Sequence, residues 1–240
     1  VSGDFLYSLD GTGVDIVIQD SGIEANHPEW EDAEGNSRLQ QINWYTESGY
    51  SGTQHSNFYS DKSGHGTHVA GIAAGKTYGW AKNAHIFSQK LDVLKGYGDT
   101  STGISTVNAF DMIRLWHNNK TNGRPTVVNM SWGSSYSLEG PVTSIKYRGI
   151  TYAGSSDTEM WDNYGLVSSM YGYYNIPAPS TTYRVELEEM IDAGIHIVIA
   201  AGNSYFKSDV VGGMDYNNSV IFNDYPGYSA AQPMNEHFWM

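Results

Sequence analysis

Cysteine is absent from the 240 residues, which excludes disulfides and thiol catalysis and leaves the redox compartment open. Basic side chains are scarce: 13 Lys and Arg stand against 26 Asp and Glu, a formal net charge of -13. Such an acidic surface repels nucleic acid and anionic membranes, so neither is expected as a partner. No apolar run approaches the roughly 18 residues that a membrane-spanning helix needs. The opening VSGDFLYSLDGTG has no basic stretch and no apolar core, so no signal peptide is read there. Proline is sparse, and three of the 7 (Pro141, Pro177, Pro179) fall in one 46-residue stretch, 135–180.

Glycine is plentiful, at 27. The length suits one large α/β domain over residues 1–240. Residues 14–20, VDIVIQD, are apolar and β-branched, the pattern of a buried strand. HVAGIAAG sets Val69, Ile72 and Ala73 at helical spacing, with Gly75 as the stop. Residues 84–93, 126–133 and 195–203 read as three more buried strands. Residues 104–118 and 181–193 read as helices, with Ile104, Val107, Phe110, Ile113 and Trp116 along one face and Tyr183, Leu187, Met190 and Ile191 along the other. Strands alternating with helices predict a parallel sheet covered on both faces, a three-layer αβα architecture. Residues 135–180, rich in Tyr, Ser and Gly, break that alternation and read as an irregular insertion.

In open parallel sheets, sites form at the carboxyl ends of the strands. Asp20 ends the first strand, Ser131-Trp132-Gly133 the third and Asn203 the fourth, while His65 opens the helix between. A carboxylate bonded to one imidazole nitrogen fixes the tautomer, the other nitrogen then serves as base, and an amide can donate to an oxyanion. Singly, each residue also has a structural reading: Asp20 and Asn203 as turn residues, Gly-His-Gly as a flexible loop.

Taken together, the segments resemble the subtilisin-like serine proteases, the subtilases. GTGVDIVIQDSGIEANHPEW is similar to the family's aspartate motif, GHGTHVAGIAAG to its histidine motif, VVNMSWGS to its substrate-binding strand and IVIAAGNS to its oxyanion motif. The resemblance implies a serine endopeptidase acting on extended polypeptide, with Asp20 and His65 as triad members and Asn203 as oxyanion donor. It also implies that Ser131, Trp132 and Gly133, with Gly96, Tyr97 and Gly98, line the substrate cleft, and that Trp132 adds an apolar wall. His68 is then structural. Export from the cell, a propeptide and the remaining carboxy-terminal part of the same chain are the implied location and partners.

Three departures stand out. Asp20 and His65 are 45 residues apart, against about 32 in subtilisin. The family's Gly-Thr-Ser-Met-Ala nucleophile segment does not occur, which reads as a carboxy-terminally incomplete catalytic domain; GYSAAQP around Ser229 is only superficially like it. GKTYGWAKNA, after the histidine helix, has no carboxylate, so the family's calcium loop is expected to be missing. No cofactor is required by the chemistry, and a calcium site elsewhere, at Asp157, Glu159 and Asp162 for instance, stays open. Two other functions compete with a protease: a non-catalytic subtilase-like binding or structural protein, and a metallohydrolase built on His65, His68 and Asp20.

Overall fold

The structure, a computed structural model, describes residues 8–133, 135–138, 142–153, 163–164, 166–168, 174–177, 180–203, 209–225 and 228–233. They fall into two compact units: Val1–Ser131 with Val185–Ile199, and Trp132–Arg184 with Ala200–Met240.

The first unit is built on a parallel sheet of five strands, β1 (Asp15–Asp20), β2 (Leu39–Gln40), β3 (His85–Lys90), β4 (Thr126–Met130) and β10 (His196–Ile199), in the order β10-β4-β1-β3-β2. All six residues of β1 are buried, because it runs between β3 and β4 with both faces covered. Successive side chains point to opposite faces. Ile16, Ile18 and Ile86 pack with Ala70 and Ala74 of α2 (His65–Ala74). On the other face Phe87 meets Trp116 of α3 (Thr106–Asn119), ring centroids 4.6 Å apart, and Trp116 meets Trp44 of α1 (Trp44–Ser48). Helices therefore cover both faces of the sheet, as the alternation of elements predicts.

Several faces differ from expectation. The buried stripe of α2 is Gly66, Ala70 and Ala74, residues small enough to let the helix lie close on β1, and this turns Ile72 outward, 53% exposed. Val107 is likewise exposed, whereas Ile104 is buried ahead of α3 in a bridge to Leu91. β10 is not a buried strand: paired among the described residues with β4 alone, it alternates exposed and half-buried residues. β4 ends at Met130, three residues before the glycine expected to close it. On α4 (Thr181–Asp192) the buried residue is Met190, with Ile191 exposed.

The second unit is antiparallel. β5 (Ser135–Ser137), β9 (Tyr174–Pro177) and β8 (Val167–Ser168) form one small sheet. β12 (Tyr228–Pro233), β11 (Ser219–Tyr225), β6 (Val142–Tyr147) and β7 (Ile150–Ala153) form another, in that order. The described part of 135–180 is thus stranded rather than irregular, around a core of Leu138, Ile145, Leu166, Ile176, Val220 and Phe222. Arg148 and Gly149 join β6 to β7 with φ of 49° and 84°, the paired left-handed turn that suits hairpin twist. Arg148 bridges to Asp215, whose carboxyl it holds down at about 2.

Candidate active site

Asp20 is the last residue of β1 and 1% exposed. Its Oδ1 lies 2.8 Å from Nδ1 of His65, the first residue of α2. The Ser21 amide donates to the same oxygen at 2.7 Å, and Oδ2 accepts no hydrogen bond among the described residues. A carboxylate can only accept, so the shared proton belongs on Nδ1 and the Nε2 lone pair is left available. The His65 side chain is 55% exposed, as a group that must meet an incoming reactant has to be.

Both glycines flanking His65 have a physical reason. Gly64 caps the helix with φ +78°, a left-handed conformation that other side chains resist. A Cβ at Gly66 would stand 2.2 Å from the Gly22 carbonyl oxygen and 3.1 Å from Asp20 Cβ. Glycine at 66 therefore sets how near the imidazole comes to the carboxylate.

Gly96-Tyr97-Gly98 is placed beside the segment that leads into α2. A Cβ on Gly96 would meet the Ser63 amide nitrogen at 2.6 Å, and Lys62 donates to the Gly98 carbonyl at 3.0 Å. Tyr97 projects fully into solvent. Sequence reasoning missed the anchor of this loop. Lys90, wholly buried at the end of β3, donates to Asp99 at 2.6 Å, Ser101 Oγ at 2.6 Å and the Ser60 carbonyl at 3.0 Å. Burial alone would raise the Asp99 carboxyl, but bonds from Lys90 and Ser101 outweigh it and hold it well below the usual carboxylate range. The signal was a lysine interrupting the apolar run HIFSQKLDV.

Ser131 is half-buried, its hydroxyl accepting from Asn129 Nδ2 at 2.9 Å. Trp132, Gly133 and Asn203 belong to the second unit. The Trp132 indole is 9% exposed and meets Tyr183 edge-on at 6.3 Å, so its surface is committed to packing and does not form the open apolar wall expected of it. Gly133 is exposed. Asn203 is exposed at a bend, following Gly202 with φ 79°. Ser229 lies in strand β12 opposite Asn223, not at the start of a helix.

His68 is exposed and borders a cleft of about 740 Å³ with His27, Trp30, Ile72 and Tyr78. His65, His68 and Asp20 do not assemble as metal ligands. Among the described residues the one such cluster is Asp111, Glu186 and Glu189, where burial and the two neighbouring carboxylates push the Glu186 carboxyl up. In 75–84, Thr77 donates its amide to Glu29 at 2.9 Å and Gly79 its own to Gly75 at 2.9 Å. Asp157, Glu159 and Asp162 lie outside the described residues. No described helix is long and apolar enough to cross a membrane.

The sequence model of the subtilase family, Peptidase S8, matches residues 11–231. Subtilisin-like protease 5 of Arthroderma otae is 37% identical over 136 residues, 54% of this chain and 29% of its own length. Proteinase R of Parengyodontium album is 35% identical over 127 residues, 53% of this chain and 28% of its own. A cuticle-degrading serine protease of Arthrobotrys oligospora is 32% identical over 167 residues, 67% of this chain but only 37% of that protein. The crystal structure of a cold-adapted subtilisin-like serine proteinase superposes with a TM-score of 0.50 at 22% identity, over 86% of this chain and 52% of that one, a likeness of fold.

Proposed function

The chain belongs to the subtilase family, and from that premise we propose that it carries the acid–base half of a serine endopeptidase site. His65 Nε2 takes the hydroxyl proton of a serine as that oxygen attacks the peptide carbonyl, then returns it to the leaving amine. Asp20 stays ionised, holds the imidazole in the required tautomer and stabilises its protonated form. Asn203 donates to the oxyanion as charge develops. Ser131 to Gly133 and Gly96 to Gly98 border a cleft for extended polypeptide, Trp132 contributing backbone rather than an indole wall. The nucleophile lies outside these 240 residues, and the protein acts outside the cell.

The observation that carries this reading is the 2.8 Å contact between a buried carboxylate and a half-exposed imidazole. A fluorophosphonate probe tests it. The 240-residue chain is expected to stay unlabelled, and the product of the whole reading frame to be labelled in a manner lost with His65→Ala. Labelling of the 240-residue chain that disappears in Ser229→Ala would make Ser229 the nucleophile. If neither protein is labelled, the non-catalytic alternative holds.

A further inference from the structure

Beyond the pair itself, the structure assigns Asp61 as a positioning residue that fixes Asp20 and His65 in register. This rests on the reading of that pair as the working acid–base unit.

Asp61 lies on the segment entering α2, and its carboxylate takes four hydrogen bonds. Oδ1 accepts from Ser21 Oγ at 2.9 Å and from the Gly64 amide at 3.0 Å. Oδ2 accepts from the amide and the hydroxyl of Thr67, at 2.8 and 2.7 Å. Gly64, the residue at the cap position, has no side chain with which to hold the orphan amides of the first turn, and Asp61 does so from outside the helix. An ordinary cap would end there. Asp61 also grips Ser21, the residue next to Asp20, and Ser21 is fully engaged: its hydroxyl accepts from the Gly66 amide at 2.9 Å while its own amide donates to Asp20 Oδ1. Thr67 closes the far side, its hydroxyl accepting from the Glu24 amide at 3.0 Å.

One carboxylate thus ties the residues on either side of His65 to the residue next to Asp20. Asp20 and His65 have a single direct bond and come from chain segments 45 residues apart. A shift of the helix along β1 by even half an ångström would lengthen that bond, and the bonds converging on Asp61 and Ser21 oppose such a shift. Asp61 touches no reacting atom in the proposed chemistry; its effect passes through Ser21 and the first turn of α2.

The test is nuclear magnetic resonance of the ¹⁵N-histidine-labelled 240-residue chain, which needs no nucleophile. The wild type is expected to show the His65 Nδ1 proton far downfield, as a proton held by a carboxylate. Its absence there would remove the pair itself, and with it both the proposed function and this inference. With that signal present, Asp61→Ala is expected to broaden or abolish it, because the hydrogen bonds that hold Ser21 and the first turn of α2 in place are lost. Asp61→Glu is expected to restore part of the signal. Asn43→Ala, which removes the side-chain cap of α1, should lower the melting temperature and leave His65 unchanged. If Asp61→Ala lowers melting but leaves the downfield proton as it was, Asp61 is only a helix cap and the inference fails. Should Asp61→Ala not fold, Ser21→Ala decides by the same downfield signal.

Discussion

The two ends of β1 carry the same side chain in the same degree of burial, and treat it in opposite ways. Asp15, at the amino end and 0% exposed, is saturated: Arg124 Nε at 2.6 Å on Oδ1, Lys120 Nζ at 2.9 Å and Asn122 Nδ2 at 3.2 Å on Oδ2. Asp20, at the carboxyl end, has one amide, one imidazole and an oxygen with no described partner. No lysine or arginine reaches it among the described residues. Lys90 stands directly opposite Asp20 in the sheet register, yet its ammonium goes to Asp99. Asp15, which holds the fold together, is neutralised by permanent cations, whereas Asp20, in the role proposed for it, keeps its charge for the imidazole.

The largest effect is expected at the saturated end. Asp15→Ala leaves Lys120 and Arg124 without their buried counter-charge and should cost about 3–5 kcal/mol in urea unfolding. A loss under about 1 kcal/mol would mean the two ends do not differ as argued. Gly66→Ala at the other end forces a methyl group against the Gly22 carbonyl, which should cost about 1–3 kcal/mol and displace the His65 Nδ1 resonance; an unshifted resonance would show that backbone closeness does not set the pair. Asp20→Asn is expected to be milder, about 1 kcal/mol, because it strips no cation of its partner, while it should abolish the downfield His65 proton. Equal unfolding costs for Asp15→Asn and Asp20→Asn would break the comparison.

The smallest effect is one of pH. His85 is the register partner of Asp15 in β3, and His117 shares Thr126 Oγ1 with Lys120. Burial lowers both imidazole pKa values, helped by Arg124 at His85 and Lys120 at His117. The unfolded chain therefore binds these protons more readily than the folded one. Their contribution to stability is complete above the ordinary histidine value of about 6.5 and is lost as pH falls below it. Melting should fall from pH 7.5 to 5.5, and fall less steeply in the His85→Gln/His117→Gln double variant. Parallel curves for the two proteins would assign the acid sensitivity elsewhere.

The sheet was legible in the sequence because β1, β3 and β4 lie inside it, where burial on both faces leaves adjacent apolar residues, IVI in β1, IF in β3 and VV in β4, instead of a strict alternation. The edge did not announce itself: IHIVIA looks like an interior strand, but among the described residues β10 pairs with β4 alone and leaves Val198 53% exposed. The second unit was hidden because β5, β7, β8 and β9 have only two to four residues each and β6 alternates imperfectly, with Ile145 alone fully buried among six residues. Asp20 and His65 could be found from their flanking letters. Asp61 and Asp99 could not, since nothing local tells a carboxylate that gathers several bonds from the same residue on a solvated surface; Lys90 left only the trace of a lysine set within a strand.

The close seating of α2 on β1 also has a meaning for descent. With Gly66 pressed against the Gly22 carbonyl, the nearest obstacle to a larger residue at 66 is backbone, which cannot swing aside as the end of a side chain can. A larger residue at 66 therefore asks for a matching movement of the turn at Gly22, so the aspartate and histidine segments form one gauge block cut into two pieces of text. A recombination that moves one piece without a matching counterpart is expected to deliver a helix that sits less closely on β1.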